Sequence, residues 1–353
     1  MDRGIKRRAR LIAFYLPQYH PVPDNDSFWG KGFTEWTNVT KAKPLFEGHK
    51  QPKLPADLGY YDLRVKEVRE EQALLAKEAG IEAFCYWHYW FGNGKRILER
   101  VFDEVLESGK PEFPFCLGWA NESWTGKWHG LDKEVIVEQS YPGEEDYKNH
   151  FYSILPALKD KRYLTVNGKL LFLIYNPLSL PDPLFFTNYW NALARENNLN
   201  EFYFIGVADH WTPAKSGFNK RIRSALASGV SLMKKPILQR ILKTKTPELL
   251  YEYKELVQQR IKEGVEADEL HCIIPNWDNT PRSGYRGRIF MGESPLQYQQ
   301  WLQSAVEQVS GIDFEERIIF IKSWNEWAEG NFLEPSMEWG HQYLDATKSA
   351  VLY

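Results

Sequence analysis

The sequence predicts an α/β fold built on a parallel sheet. Short apolar runs recur along the chain, helix-period segments alternate with them, and the 353 residues contain no linker or low-complexity break. The apolar runs are Leu11–Leu16, Ala83–Trp87, Phe115–Trp119, Leu170–Tyr175, Phe202–Val207, Cys272–Pro275 and Ile318–Ile321. They are continuous rather than alternating, as strands covered on both faces require. Between them, Ile97, Leu98, Val101, Phe102, Val105 and Leu106 form one helical stripe, and Tyr298, Trp301, Leu302, Ala305, Val306 and Val309 another. Val65, Val68, Leu75 and Ala79 make a looser stripe, closed by Gly80 as a C-cap. An eighth strand, expected between about Ser216 and Leu232, is weak. Pattern alone therefore leaves a barrel and a doubly wound sheet both open. A chain of this length fits one α/β domain.

Composition narrows the function classes. A formal net charge of −3 offers no overall attraction to nucleic acid or anionic membranes. The basic start MDRGIKRRAR is followed by LIAFYL, which ends at Pro17-Gln18 and is too short for the apolar region of a signal peptide. No run approaches membrane-spanning length, so a cytoplasmic location is expected. Cys85, Cys116 and Cys272 each sit in an apolar run and read as small buried hydrophobes. Aromatic residues are abundant, with 14 Trp, 19 Tyr and 20 Phe. Some must be core. The Trp excess suggests flat walls in a cleft, on which the C–H faces of sugar rings sit well.

Several features point elsewhere. From His210 to Pro247 there is no Asp or Glu, while Lys215, Lys220, Arg221, Arg223, Lys234, Lys235, Arg240, Lys243 and Lys245 accumulate. The stretch, a basic excursion at about 210–247, fits a solvated surface. It also fits a patch for an anionic, phosphate-bearing carrier at Lys215–Lys245. Asp24-Asn25-Asp26 has the spacing of a divalent-ion site, but in a Pro-rich loop where such triplets arise by chance. His20, His88, His129 and His210 lack zinc-ligand spacing. No phosphate loop, dinucleotide fingerprint or G-x-S-x-G is present. No metal and no cofactor are expected.

Strand ends carry the functional signal, because an α/β barrel builds its site there. They read Tyr15-Leu16-Pro17-Gln18-Tyr19-His20, Trp87-His88-Tyr89-Trp90, Trp119-Ala120-Asn121-Glu122, Asp209-His210-Trp211, Trp277-Asp278-Asn279 and Trp324-Asn325-Glu326-Trp327-Ala328-Glu329. In the last group Glu326 and Glu329 lie three residues apart, and a helical turn there would project both to one side. Two carboxyls in one cleft push their pKa values apart, which suits the acid and base of glycoside cleavage. The same spacing also fits a surface Glu pair on the first turn of a helix.

Six segments make the chain resemble a known family. They are FYLPQYHP (Phe14–Pro21), FWGKGFTEWTNV (Phe28–Val39), CYWHYWF (Cys85–Phe91), WANESWTGKW (Trp119–Trp128), PNWDNTPR (Pro275–Arg282) and SWNEWAEGNFLEP (Ser323–Pro335). Together they resemble the WbsX-like family of polysaccharide-cluster glycosyltransferases and, more distantly, the endo-α-mannosidases of glycoside hydrolase family 99. The resemblance implies a single-domain (β/α)8 TIM barrel over residues 1–353. It implies that Glu326 deprotonates a sugar 2-hydroxyl, which closes on C1 as a 1,2-anhydro intermediate, and that Glu329 serves as acid, then base. Glu326 would then be ionised and Glu329 protonated at the outset. It further implies sugar subsites lined by Tyr15, Trp87, His88, Trp119, Asn121 and Trp277. The remaining members of the matched segments and strand ends, Tyr19, His20, Trp36, Glu122, Trp124, Asp209, Asp278, Asn279, Trp324 and Asn325, are further binding candidates.

The expected activity is therefore a retaining, endo-acting α-glycoside hydrolase on an oligo- or polysaccharide. A glycosyltransferase or transglycosylase of surface-polysaccharide assembly is the alternative, and a non-catalytic glycan-binding barrel a third. Glu122 facing Glu326 across a barrel is an alternative carboxyl pairing.

Overall fold

A computed structural model describes residues 6–126, 131–224, 226–233, 247 and 249–353. Eight parallel strands close into a barrel: β1 (Arg10–Tyr15), β2 (Ile81–His88), β3 (Phe115–Trp119), β4 (Lys169–Ile174), β5 (Phe202–Val207), β6 (Lys220–Ile222), β7 (Glu269–Ile273) and β8 (Ile318–Ile321). Each strand pairs in parallel with the next, β3 pairs with β4, and β8 returns to β1 to complete the ring. The open alternative, a doubly wound sheet, is thereby excluded. The weak eighth strand is β6, inside the expected interval but only three residues long.

Helices Lys66–Glu78, Glu99–Ser108, Glu144–Leu158, Pro183–Glu196, Tyr253–Glu263, Pro295–Val309 and Gln342–Val351 cover the outside. Two of them begin with Pro at the first turn and a side-chain cap before it. Asp182 accepts from the Phe185 amide at 2.9 Å, and Ser294 accepts from the Gln297 amide. The stripe from Tyr298 to Val309 is buried throughout. Gly80 follows helix Lys66–Glu78 at φ +89, where an added Cβ would meet Val351 at 2.6 Å. A 3-10 turn, Pro213–Ser216, joins β5 to β6 in place of an α-helix.

The aromatic excess divides between the core and the open end of the barrel. Trp119, Trp190, Trp324 and Trp327 are fully buried. Outside the β4–β5 wall, Trp190 packs on Phe186, Phe172, His150 and Phe202, with ring centroids 4.7–5.4 Å apart. Inside, Phe14 stacks on Trp87 at 4.7 Å and on Phe320 at 5.1 Å. Among the described residues no helix is long and apolar enough to cross a membrane.

Truncating the largest of these anchors, Trp190→Ala, is expected to lower unfolding free energy by about 3–5 kcal/mol. A urea titration followed by circular dichroism reads this as a lower midpoint at unchanged slope.

Candidate active site

The chain beyond β8 forms a small hairpin, Asn325–Glu326 against Asn331–Phe332, closed by a 3-10 turn at Trp327–Glu329. The expected helical turn is thus the tighter kind, in which residues three apart eclipse one another. Glu326 and Glu329 accordingly both line a cleft at the C-terminal end of the strands. The hairpin is clamped on every side. Asn325 accepts from the Leu16 amide at 2.8 Å and donates to its carbonyl at 3.0 Å, tying the hairpin to the end of β1. The Tyr19 hydroxyl donates to the Asn325 carbonyl, and Ser323 Oγ accepts from the Glu326 amide at 3.1 Å. The Trp327 ring stacks on Phe332 at 3.7 Å, and its indole N–H donates to buried Glu334 at 2.6 Å. Gly330 closes the turn at φ +54, with Asp278 backbone so close that a Cβ would meet it at 2.8 Å.

Three further side chains set the electrostatics. Arg282 donates one guanidinium nitrogen to Glu329 at 2.6 Å and the other to Glu35 at 2.7 Å. Glu35 also accepts from the Ala328 amide at 3.0 Å. Trp87 Nε1 donates to Glu326 at 3.1 Å, and its indole has room because Gly118 on β3 lacks a side chain: a Cβ there would meet the ring at 3.2 Å. Lys322, the first residue past β8, lies 5.6 Å from the centroid of the Trp277 ring. Burial, then the charge of Glu329 and a hydrogen bond to it, push Glu326 up to about 8, against the pull of Arg282 and Lys322. Burial opposes the charge on Arg282, but Glu35, Glu329 and Glu326 outweigh it and hold the guanidinium ionised.

Two cations, Arg282 and Lys322, and three carboxyls, Glu35, Glu326 and Glu329, thus meet at the floor of the cleft. Burial and the neighbouring Glu329 favour the protonated form of Glu326, while Arg282 is paired with Glu329.

The cleft has a volume of about 600 Å³, suited to a few sugar rings. Trp29, Trp87, Trp124 and Trp277 line it, with Tyr89 and Tyr175. Of the candidate binding residues, Trp87, Glu122, Trp124, Trp277 and Asn279 face it. Glu122, the alternative partner for Glu326, is solvent-exposed at the rim and accepts from Asn176 at 3.1 Å. Tyr19, Trp36, Asp278 and Asn325 stand behind the lining and hold it in place. Trp36 donates to the Tyr61 carbonyl at 2.8 Å. Asp278 accepts from His49 and Gln51 at 2.7 Å, and its amide donates to the Glu329 carbonyl at 2.8 Å. The pairing with His49, Thr280 and Gln51 holds the Asp278 carboxyl low although burial acts to raise it.

The other candidates are not among the cleft-lining residues. The Tyr15 hydroxyl donates to Gln72 behind the barrel wall. His88 meets His150 at 2.8 Å, and burial pushes it down to about 3. Trp119 donates to the Trp90 carbonyl, Asn121 braces Asn176, and His20 and Trp324 are enclosed in the interior. Asp209 accepts from Ser224. The common cause for Tyr15, His88 and Trp119 is strand geometry, since alternate side chains of a barrel strand face the helices and not the lumen. In the D-x-D triplet, Asp24 pairs with Lys95 and Asp26 accepts from the Gly32 amide, so both carboxylates are engaged locally.

Three described cations of the basic stretch are engaged locally, while Lys215 is exposed. Arg221 pairs with Glu266, Asp268 and Glu269, Arg223 pairs with Glu263 and Glu269, and Lys220 donates to the Ala267 carbonyl. Lys234, Lys235, Arg240, Lys243 and Lys245 lie outside the described residues, as does His129.

Glu35, Arg282, Lys322 and Tyr175 are among the site residues that escaped the sequence reading. Glu35 and Arg282 stood inside matched segments, and Lys322 directly follows an apolar strand run, an unusual place for an ammonium group.

A closed parallel barrel with a carboxyl pair at its C-terminal mouth and aromatic cleft walls is the frame of a carbohydrate-active enzyme. The sequence profile described as Glycosyltransferase WbsX matches residues 11–347, and the chain belongs to that family. An uncharacterised protein named WxcX from Xanthomonas campestris pv. campestris (strain B100) is 37% identical over 349 residues, 97% of this chain. The chain spans about half the length of that relative. Among solved structures, a glycoside hydrolase-like protein superposes with TM-score 0.62 at 15% identity, covering 98% of this chain and 95% of that one. A family 99 endo-alpha-mannosidase from Bacteroides thetaiotaomicron superposes with TM-score 0.58 at 16% identity, covering 96% and 95%. At such identities these likenesses establish a shared fold.

Two outcomes follow from the buried charges. Arg282→Gln is expected to cost about 3–5 kcal/mol of stability by leaving buried carboxyls unpaired. Glu326 is protonated in the native state up to about pH 8 but ionises near the ordinary carboxyl value when unfolded. Its stabilising contribution is present below about pH 4.5 and is lost as pH rises through 8. Glu326→Gln is therefore expected to flatten the fall of Tm between pH 5 and 9 and to exceed wild type at the alkaline end, by scanning calorimetry.

Proposed function

We propose that this domain is a retaining, endo-acting α-glycoside hydrolase of the mannosidase kind, with Glu326 and Glu329 as its catalytic pair. One observation carries the reading: two buried carboxyls stand together at the floor of a Trp-lined cleft, close enough to raise the pKa of Glu326. One carboxyl takes the sugar 2-hydroxyl proton while O2 closes on C1, and the other protonates the departing glycosidic oxygen. Water then opens the 1,2-anhydro sugar from the opposite face, and two inversions give net retention. For Glu326 to act as the base, its proton must first move to Glu329. The hydrogen bond between them is the path. A 2-hydroxyl donating to Glu326 favours the move, because a donor stabilises the ionised form. Arg282 keeps Glu329 oriented throughout, and Trp87 does the same for Glu326.

The family's description as glycosyltransferases favours a second reading, in which the same pair passes a glycosyl group from an activated donor to a sugar acceptor. Candidate subsite residues are those that face the cleft: Trp87, Glu122, Trp124, Trp277 and Asn279.

Incubating the purified protein with a panel of α-mannans and related polysaccharides, without nucleotide sugar, separates the two. Wild type is expected to release reducing ends with retained configuration by NMR, and Glu326→Gln and Glu329→Gln to lose about 10²–10⁴ of the rate. The wild-type rate should fall above about pH 8, where the pair loses its proton. Turnover appearing only with an activated sugar donor would replace hydrolysis by transfer. Hydrolysis abolished by Glu122→Gln with binding intact would displace Glu329 from the pair.

A further inference from the structure

Lys322 is not used by the proposed chemistry. It lines the cleft beneath the carboxyl pair and also reaches the head of a smaller chamber of about 50 Å³ that runs into the barrel interior. Its backbone amide donates to the Ile273 carbonyl at 2.8 Å, so the end of β7 fixes where the side chain starts. The other well-buried cations are paired: Arg282 with Glu35 and Glu329, Arg221 with Glu266 and Glu269, Lys53 with Glu293 and Glu338. Among the described residues no carboxylate lies within 4 Å of the Lys322 ammonium, and it makes no side-chain hydrogen bond. Its near neighbour is the face of Trp277, a cation–π contact at 5.6 Å. Burial acts to lower the pKa of its ammonium, but the acidic groups around it, Tyr175, Glu326 and Glu329, raise it on balance. A half-buried ammonium on a cleft wall, with no hydrogen-bond partner among the described residues, keeps its three donors open to an anionic ligand.

Resting on the glycan reading above, we propose that Lys322 is a specificity-determining residue that receives a single negative charge on the sugar ring at the scissile bond, the carboxylate of a uronosyl residue. Three features support this choice. Lys322 lines the same cleft as both catalytic carboxyls, so an anionic group on the ring bound beside the pair can reach its ammonium. Trp277 offers that ring a flat wall beside the charge. One ammonium balances one carboxylate, and a carboxylate only accepts hydrogen bonds, as three N–H donors without an acceptor require. A phosphate ester on the same ring shares this chemistry with a larger charge.

The test uses tryptophan fluorescence at low salt to compare three probes: methyl α-D-mannopyranoside, methyl α-D-mannopyranosiduronate and methyl α-D-mannopyranoside 6-phosphate. Wild type should bind the uronoside about tenfold more tightly than the neutral glycoside, the size of one charge-assisted hydrogen bond. Lys322→Gln should erase that preference, and Lys322→Arg should keep part of it, both with native circular dichroism. Equal affinity for charged and neutral glycosides in wild type overturns the proposal, as does a preference that survives Lys322→Gln. Tighter binding of the phosphate than of the uronoside overturns the carboxylate assignment in favour of phosphate. If the neutral glycoside also fails to bind, the glycan reading falls with it, and the neutral arm separates that outcome from failure of the charge alone.

Discussion

The guanidinium of Arg282 holds together parts of the chain that are far apart in sequence. It joins Glu35, on the short helix Glu35–Lys41 that follows β1, to Glu329, in the hairpin that follows β8, and itself belongs to the segment after β7. All three groups are well buried, and removing one would strand the charge of the others. Glu35 also accepts from the amide of Ala328, so the same contact fixes the turn that aims Glu329. Arg282 thus pairs with Glu329 while burial raises the pKa of its neighbour Glu326.

Much of the frame was legible in the sequence, because parallel strands buried on both faces leave continuous apolar runs. β6 resisted for a physical reason: it is three residues long, and two of them are Lys220 and Arg221. The site was legible in part. Glu326 and Glu329 stood out by spacing and position, and Trp87 and Trp277 by their place at strand ends. His88 and Trp119 also end strands, but a strand turns every second side chain outward, and a linear reading does not reveal the phase. The partnership of Arg282 with Glu35 spans 247 residues of sequence, so no local pattern could announce it.

The aromatic content has two uses that composition cannot separate. Trp190, Trp324 and Trp327 fill the space between barrel, helices and hairpin, whereas Trp29, Trp87, Trp124 and Trp277 open onto the cleft. Trp87 belongs to both groups, stacked on Phe14 inside the barrel and bonded through its indole nitrogen to Glu326. The packed interior thereby positions a catalytic candidate directly. The barrel itself is shared with proteins only 15–16% identical to this chain.

The short sixth strand bears on how the barrel comes apart. β6 contributes few ladder bonds, and its grip on β7 is supplemented by Arg221 reaching Glu266, Asp268 and Glu269. Glu266 and Asp268 are open to solvent, where counterions screen such attractions and leave backbone ladder bonds largely untouched. This stave is thus the place where ionic strength can loosen the ring, and a local opening there would begin beside Ser224 and Leu226, on the wall of the cleft itself.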